Sequence, residues 1–315
     1  MNEGDVAVER AGGEASRPGT QHLVPPHVLA PALAAIVCLI LVVIDWRVFV
    51  NTTRGQLVEE AARIGSRDAR ESFSGITGTL LSVVTVPALV IVVIVAVLIA
   101  LAQKRWSIAI AAIVVLVGSN LTTQVLKELL NRPLDDVSEV ALNSFPSGHA
   151  TVAASVAATA LLVLPVRWRP PVAVLGSLLA AAIGISTMIG TEATAWHRGS
   201  DVVAAMLIAT LWYFLVEAVL AGLAHASGEI AAAGNPPRAL MKVPLRILST
   251  LGWLSVGLGV GALAATAVRA PISTDLGFQV AFLGSILGVA AVAFFTSALM
   301  LRLRPHHQPP LADPL

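Results

Sequence analysis

The chain is poor in charged residues and has a single cysteine. Asp, Glu, Lys and Arg make up only 12% of its 315 residues, whereas a typical soluble domain has about 25%. The lone Cys38 allows no intrachain disulfide and indicates no metal site. With a net charge of +1, the composition gives no reason to expect a nucleic acid or a strongly acidic partner. These deficits argue against a soluble globular domain and against a nucleic-acid-binding protein.

Long apolar runs account for much of the sequence, which is 56% hydrophobic with a mean hydropathy of +0.83. Several runs approach or exceed the ~20 residues that a helix needs to cross a bilayer. The predicted fold class is therefore all-α, a polytopic membrane helix bundle with about eight transmembrane helices. Their expected positions are about 29–50, 77–103, 106–127, 148–165, 172–190, 201–223, 246–267 and 277–300.

The apolar runs divide the chain into four regions. Residues 1–27 are polar and Gly-rich, which predicts a disordered cytoplasmic tail, and residues 302–315 predict a second one. A membrane core covers 28–223, and two additional transmembrane helices cover 224–301. No cleavable signal is expected, because the first apolar run is long enough to span. Within the core, the charged stretch 51–75 has only a weak apolar face, which predicts a solvated or interfacial helix.

Basic residues orient the bundle in a plasma membrane. With the N-terminus placed in the cytoplasm, every inner connection between spans is basic and carries almost no acidic residues. The inner basic residues are Arg10, Arg17, Lys104, Arg105, Arg167, Arg169, Arg238, Lys242, Arg246, Arg302 and Arg304. Both termini are then cytoplasmic, and three polar segments at the ends of spans fall together on the non-cytoplasmic side.

The first polar segment places His197 four residues before Asp201. This spacing puts two side chains on one face of a helix. The carboxylate can then bind one ring nitrogen and leave the other as a nucleophile or base. A loop histidine beside an unrelated helix-start aspartate is the simpler interpretation of this spacing alone.

The second segment, Pro146-Ser147-Gly148-His149, precedes an apolar run of helix length. The unpaired N–H groups of a helix N-terminus suit a phosphate, and Gly148 lets a ligand approach the backbone closely. His149 is placed to act as an acid toward a leaving oxygen. Alternatively, Ser147 and Gly148 form only a turn that caps the helix.

The third segment contains two cations, Lys127 and Arg132, near the end of an apolar span. A cation at this depth either extends to the interface or binds an anion. Ammonium and guanidinium groups together suit phosphate oxygens. Two histidines, a carboxylate and two cations on one side of one bundle indicate phosphoryl transfer through a histidine.

The ordered trio of Lys-x4-Arg-Pro, Pro-Ser-Gly-His and His-x3-Asp resembles the type-2 phosphatidic acid phosphatase superfamily, over about residues 76–223. The superfamily includes membrane lipid phosphate phosphatases and is related to vanadium haloperoxidases. The resemblance implies that His197 forms a phosphohistidine, that Asp201 orients it, and that His149 protonates the leaving oxygen. The phosphate-holding positions are matched by Lys127, Arg132, Ser147 and Gly148. The resemblance also implies that no metal or other cofactor is needed.

Two departures from the family pattern concern cations. The family usually has six residues between its Lys and its Arg-Pro, a spacing that falls here on Leu134-Asp135. It also has an arginine six residues before the nucleophilic histidine, where this chain has Thr191. We expect Arg132 to act from one turn away, and Arg198 to replace the second arginine as a phosphate-binding group. An Arg198→Ala variant with normal turnover would count against that replacement.

The predicted function is a membrane lipid phosphatase acting on a phosphomonoester or diphosphate on the non-cytoplasmic side. The candidate substrates are phosphatidate, phosphatidylglycerol phosphate and polyprenyl diphosphate. Transfer to an acceptor other than water and a non-catalytic lipid-binding or transport role are the alternatives. Beyond the core, four glycines of the seventh span suit close helix packing, either within the chain or in a homodimer. These are Gly252, Gly257, Gly259 and Gly261.

Overall fold

The computed structural model describes residues 26–133, 143–191, 195–227 and 238–304, and this part of the chain is helical throughout apart from short connections. Ten α-helices are described: α1 (Pro26–Asp45), α2 (Thr53–Gly65), α3 (Arg67–Val83), α4 (Val86–Ala102), α5 (Trp106–Leu129), α6 (Gly148–Val163), α7 (Arg169–Ile189), α8 (Gly199–Ala226), α9 (Arg238–Arg269) and α10 (Asp275–Leu303). A π-helical turn, Trp46–Val50, extends α1, and a 3-10 turn, Val166–Trp168, leads into α7. The predicted disordered tails fall almost entirely outside the described residues.

Among the described residues, six helices are long and apolar enough to cross a membrane. They are α1 with its π-helical extension, α5, α7 with its preceding turn, α8, α9 and α10. The pair α3 and α4, bent by 51°, makes a seventh span if it is counted as one. The remaining predicted span is α6, an apolar helix of 16 residues. The all-α membrane fold class is thus confirmed, and the number of full-length spans is six or seven.

The break between α3 and α4 has a local cause. Thr85 has an extended backbone, and its side chain accepts a hydrogen bond from the N–H of Ala88, which starts a new helix. Pro87 follows in the first turn of α4, where a missing N–H is tolerated. The second predicted span therefore consists of two helices, of which α3 begins ten residues earlier than expected.

Helix α2 is held tightly at both of its ends. A Cβ atom on Gly55 would lie 2.0 Å from the carbonyl oxygen of Val48, and one on Gly65 would lie 2.0 Å from that of Phe278. Only glycine permits such close backbone approach. The weak apolar face predicted for this stretch is buried, with Ala61 and Ala281 in one cluster between α2 and α10. Helix α2 is therefore a packed element of the fold and not a solvated one.

Polar contacts between helices bring α5, α6 and α8 together below the predicted site. The hydroxyls of Thr123 on α5 and Thr151 on α6 lie 2.8 Å apart, and both are buried. On the neighbouring helix, the indole N–H of Trp212 donates to the Thr122 hydroxyl at 3.0 Å. These contacts place the last turns of α5 beside the first turn of α6 and the middle of α8.

The glycines of α9 divide into two sets. A Cβ atom on Gly252 or Gly259 would meet α10 side chains at 3.0–3.1 Å, so these two glycines serve close packing within the chain. Gly257 and Gly261 have no heavy atom within 4 Å of such a Cβ. The prediction of close packing therefore holds for Gly252 and Gly259, whereas a homodimer stays a prediction.

Candidate active site

The His197 and Asp201 side chains meet at the start of α8. Arg198 is the N-cap residue, and its backbone N–H donates to Oδ2 of Asp201 at 2.9 Å. Nδ1 of His197 lies 3.3 Å from the same oxygen, and Asp201 is completely buried. The contact predicted from the four-residue spacing is present, and it leaves Nε2 of His197 for chemistry.

Two further groups fix the Asp201 carboxylate from other parts of the chain. The Ser144 hydroxyl donates to Oδ2 at 2.6 Å, and Nη2 of Arg132 lies 3.1 Å from Oδ1. Hydrogen bonds to a charged group are about twice as strong as neutral ones. Together with the helix cap, these contacts define the orientation of the carboxylate and, through it, that of the His197 ring.

The Pro146–His149 segment forms the N-terminus of α6 and is tied to α8. The Ser147 hydroxyl accepts a hydrogen bond from the N–H of Ala150 at 3.4 Å, which is the capping role. Its backbone N–H donates to the Asp201 carbonyl oxygen at 2.8 Å, and the residue is fully buried. Ser147 therefore acts as a helix cap that joins the two histidine-bearing helix starts.

Lys127 and Gly148 are neighbours in space although they are far apart in sequence. A Cβ atom on Gly148 would lie 3.8 Å from Nζ of Lys127, so only a small gap separates the ammonium from the α6 backbone. Nδ2 of Asn143 donates to the Lys127 carbonyl oxygen at 3.0 Å and also to the Leu130 carbonyl oxygen. These two hydrogen bonds satisfy carbonyl groups at the C-terminal end of α5. An ammonium and a helix N-terminus side by side suit a phosphate oxygen.

His149 lies within the same group of side chains. Its ring packs against the Trp196 ring with centroids 5.4 Å apart and planes inclined by 51°. Trp196 directly precedes His197 in the chain, and Gly148, which adjoins Lys127, directly precedes His149. The tertiary structure thus brings together both predicted histidines and one predicted cation.

Arg132 has a different environment from the one predicted for a phosphate-binding group. Its Nη1 lies 2.8 Å from Oε2 of Glu59 on α2, and its Nη2 contacts Asp201. Burial opposes the charge of Arg132, but Glu59 and Asp201 outweigh it and raise its pKa above the ordinary value. Both ends of the guanidinium are thus engaged by carboxylates, which favours a positioning role over direct phosphate contact.

Glu59 was not expected from the sequence. Besides Arg132, it binds the backbone N–H of Ser200 through Oε1 at 3.1 Å, and only 3% of it is exposed. Burial raises the pKa of its carboxyl group, while the adjacent Arg132 counteracts this effect. Helix α2 thereby contacts the first turn of α8 and the Arg132–Asp201 pair at the same time.

Arg198 lies beside the predicted nucleophile, as its position in the sequence requires. Its Nη2 lies 3.6 Å from Oε2 of Glu60, which Arg63 also contacts. A small cavity of about 180 Å³ borders His197, Arg198 and Arg63. Two arginines therefore flank this side of His197, and Arg63 is a cation that sequence reasoning missed.

The position where the family has its second arginine is next to a cation from α3. Helix α7 ends at Gly190, whose φ of 79° is accessible to glycine with little strain. Nε of Arg70 donates to the Ile189 carbonyl oxygen at 2.8 Å, one residue before this turn and two before Thr191. No local sequence signal marks Arg70, because its proximity depends on how α3 packs against α7.

No metal-binding arrangement is visible within the described residues: no group of three or more His, Cys, Asp or Glu side chains is placed to hold an ion.

The fold and the site define an integral membrane protein with a histidine-based site at one end of its helices. Residues 107–222, from the start of α5 almost to the end of α8, match the model of the PAP2 superfamily. This segment of the chain is thus similar to the PAP2 superfamily, and all three predicted motifs lie within it.

One solved structure similar to this chain is described as the crystal structure of the first transmembrane PAP2 type phosphatidylglycerolphosphate phosphatase from Bacillus subtilis. It is 22% identical, with a TM-score of 0.47, and the similarity covers 62% of this chain and 97% of that one. A search of curated proteins found no match.

Proposed function

We propose that this protein is a lipid phosphatase that hydrolyses a phosphomonoester or diphosphate of a membrane lipid through a phosphohistidine. The match of residues 107–222 to the PAP2 superfamily model supports the phosphatase class. The observation that carries the mechanism is the His197 ring held by buried Asp201, with His149 packed on the adjacent Trp196 and Lys127 next to Gly148. The basic inner connections favour an active site on the non-cytoplasmic side, with both termini in the cytoplasm.

In the proposed first step, the phosphate lies against Lys127 and the N-terminus of α6. Nε2 of His197 attacks phosphorus in line, and the bond from phosphorus to the lipid oxygen breaks. His149 donates its proton to the departing oxygen, so the lipid leaves as a neutral alcohol or as a lipid monophosphate. Asp201 stabilises the positive charge that develops on the His197 ring.

In the second step, water attacks the phosphohistidine. His149, now without its proton, accepts one from the water as the new phosphorus–oxygen bond forms. The phosphorus–nitrogen bond breaks, inorganic phosphate leaves, and His197 returns to its starting form. Arg198 and Arg63 flank His197 and can neutralise the charge on the phosphoryl oxygens.

The test is phosphate release by purified protein from phosphatidate, phosphatidylglycerol phosphate and a polyprenyl diphosphate, with a chelator present. We expect inorganic phosphate from at least one of them without any added acceptor. Release only when an alcohol acceptor is supplied would favour a phosphotransferase. No turnover of any lipid would favour a lipid-binding or transport role.

A His149→Gln variant should lose about 10²- to 10⁴-fold in steady-state turnover of a lipid phosphate, because the leaving oxygen is no longer protonated. An aryl phosphate has a good leaving group that needs little protonation. Its first-turnover burst of aryl alcohol should therefore persist in the variant, whereas its steady-state rate falls. Equal losses of the burst for aryl and alkyl substrates would contradict the assigned acid role.

A Glu59→Gln variant should lose about 10- to 100-fold in activity, by analogy with outer-shell groups that orient metal ligands. Removing this carboxylate leaves the Arg132 charge less compensated beside Asp201. The Arg132–Asp201 contact should then change, and with it the orientation of the carboxylate that holds His197. The exposed Glu71 on α3 provides the matched control, Glu71→Gln. Activity of Glu59→Gln equal to that of Glu71→Gln would reduce Glu59 to a purely structural residue.

A further inference from the structure

A second group of charges lies at the end of the bundle opposite to the candidate active site. It consists of Arg105, Arg169, Arg304, Glu217 and Tyr213, here called the inner arginine cluster. Arg105 and Arg169 stand at the N-terminal ends of α5 and α7. Glu217 is about 24 Å further along α8 than Asp201, at 1.5 Å per residue. The two groups are therefore separated by most of the thickness of a membrane.

Arg304 is fully engaged within this cluster. Its Nη1 lies 3.2 Å from Oε1 of Glu217 and donates to the Leu161 carbonyl oxygen at 3.0 Å. Its Nη2 donates to the Leu162 carbonyl oxygen at 2.5 Å. Arg304 thus uses the one carboxylate of the cluster and the last-turn carbonyls of α6.

Arg169 is much less well satisfied. Its Nε donates to the Leu164 carbonyl oxygen at 3.3 Å, but its buried Nη1 has no hydrogen-bond partner among the described residues. Only 4% of the residue is exposed, and the charges acting on it include those of Arg304 and Arg105. Within the described residues Glu217 forms its ion pair with Arg304, so Arg169 has no carboxylate partner there, whereas buried charges are almost always paired. Such a set suits an anion with several acceptor oxygens, such as a phosphate.

An apolar crevice reaches the same end of the bundle. It lies between α6, α7, α8 and α10 and is open to the surroundings, with about 330 Å³ of free space when its open part is included. Leu161, Val172 and Met300 line it, and Leu161 is the residue whose carbonyl binds Arg304. Val172 follows Arg169 by one turn, and Trp168 is 53% exposed, as tryptophans at the headgroup level commonly are. A site suited to an anionic headgroup is thus adjacent to an apolar crevice suited to an acyl chain. This arrangement favours a lipid over a soluble anion.

We propose that the inner arginine cluster binds the phosphate group of an anionic phospholipid, with one acyl chain in the adjacent crevice. Basic pockets between transmembrane helices are known to take anionic headgroups in this way. The lipid belongs to the leaflet opposite to the candidate active site. This binding site is independent of the proposed phosphatase reaction, because no catalytic group takes part in it.

The experiment measures thermal unfolding of the purified full-length protein in a neutral detergent, with lipid added. Phosphatidylglycerol is the probe, since it is a phosphodiester without a terminal phosphate and so is not a substrate of the proposed reaction. We expect it to raise the Tm of the wild-type protein by about 5 °C near saturation. Phosphatidylcholine and inorganic phosphate should each give a much smaller rise, and short-chain phosphatidylglycerol an intermediate one.

Three variants test whether the inner arginine cluster is the site that responds to phosphatidylglycerol. Arg169→Gln should lose the response to phosphatidylglycerol, whereas Arg167→Gln, at an exposed arginine two residues earlier, should keep it. Arg105→Gln, at the half-buried edge of the cluster, should weaken the response even if Arg169→Gln fails to fold.

An equal response in Arg105→Gln and Arg167→Gln overturns the assigned site. If phosphatidylcholine raises the Tm as much as phosphatidylglycerol does, the site does not require a negatively charged lipid. If inorganic phosphate alone raises the Tm as much, the site binds phosphate and not a lipid. If short- and long-chain phosphatidylglycerol act alike, the crevice is not part of the site.

Discussion

Replacing His197 with Asn is expected to reduce phosphate release from the preferred lipid by about 10⁴-fold or more, as loss of a covalent nucleophile does in other enzymes. Asn has no ring nitrogen that can attack phosphorus, so no phosphohistidine forms. The buried hydrogen bond to Asp201 is largely preserved by the Asn amide, so the fold should survive. Activity and thermal unfolding, measured on the same preparation, separate these two effects.

The matched control for His197→Asn is His225→Asn, at an exposed histidine in the last turn of α8, far from the site. It should retain wild-type turnover. A second readout is labelling with a radioactive phosphate substrate followed by an alkaline quench. The wild-type protein should retain acid-labile label and His197→Asn should not. If phosphate release by His197→Asn stays within tenfold of wild type, His197 is not the nucleophile and the phosphohistidine mechanism is wrong.

An Asp201→Asn variant should lose about 10³- to 10⁴-fold in activity and also lose stability. The amide is neutral and no longer stabilises the charge that develops on His197; a similar substitution in the serine protease triad costs about 10⁴-fold. Arg132 would lose one of its two carboxylate partners in a buried setting. Breaking a buried ion pair from one side typically costs about 3–5 kcal/mol. Thermal or denaturant unfolding measures that loss directly.

Asp275→Asn is the matched control, because Asp275 is also a first-turn aspartate but is exposed at the start of α10. It should change neither activity nor stability by much, since an exposed helix-end charge contributes at most about 1 kcal/mol. If Asp201→Asn and Asp275→Asn behave alike, Asp201 does not orient the nucleophile. A loss of stability without a loss of turnover would limit Asp201 to a structural role.

The sequence predicted the parts of the site that depend on local geometry. His197 precedes the N-cap of α8, and it meets Asp201 because the carboxylate in the first turn folds back over the N-cap. Ser147 caps α6 because a hydroxyl at that position binds nearby backbone N–H groups. The family resemblance, now confirmed, added the expectation that Lys127 and His149 lie beside them. Their roles in catalysis stay predictions until the variants are measured.

The contacts of Arg132 could not be predicted from the residues near it in the sequence. Sequence spacing placed this cation near a phosphate, whereas the structure places it between Glu59 and Asp201. Glu59 lies on α2, outside the matched segment, in a stretch whose mixed charges indicated only a solvated or interfacial helix. Nothing in the residues around Glu59 reveals that Gly55 and Gly65 allow α2 to pack closely enough to bury it.

By itself, the sequence determined the membrane class, the helical fold and the chain order of the three motifs, because bilayer thickness and helix periodicity act on neighbouring residues. Only the tertiary structure decided which cation meets which carboxylate. Glu59, Arg132 and Asp201 come from three distant parts of the chain, as do Arg169, Glu217 and Arg304. Their pairing depends on how the helices pack, and charge complementarity between distant residues leaves no periodic signal in the sequence.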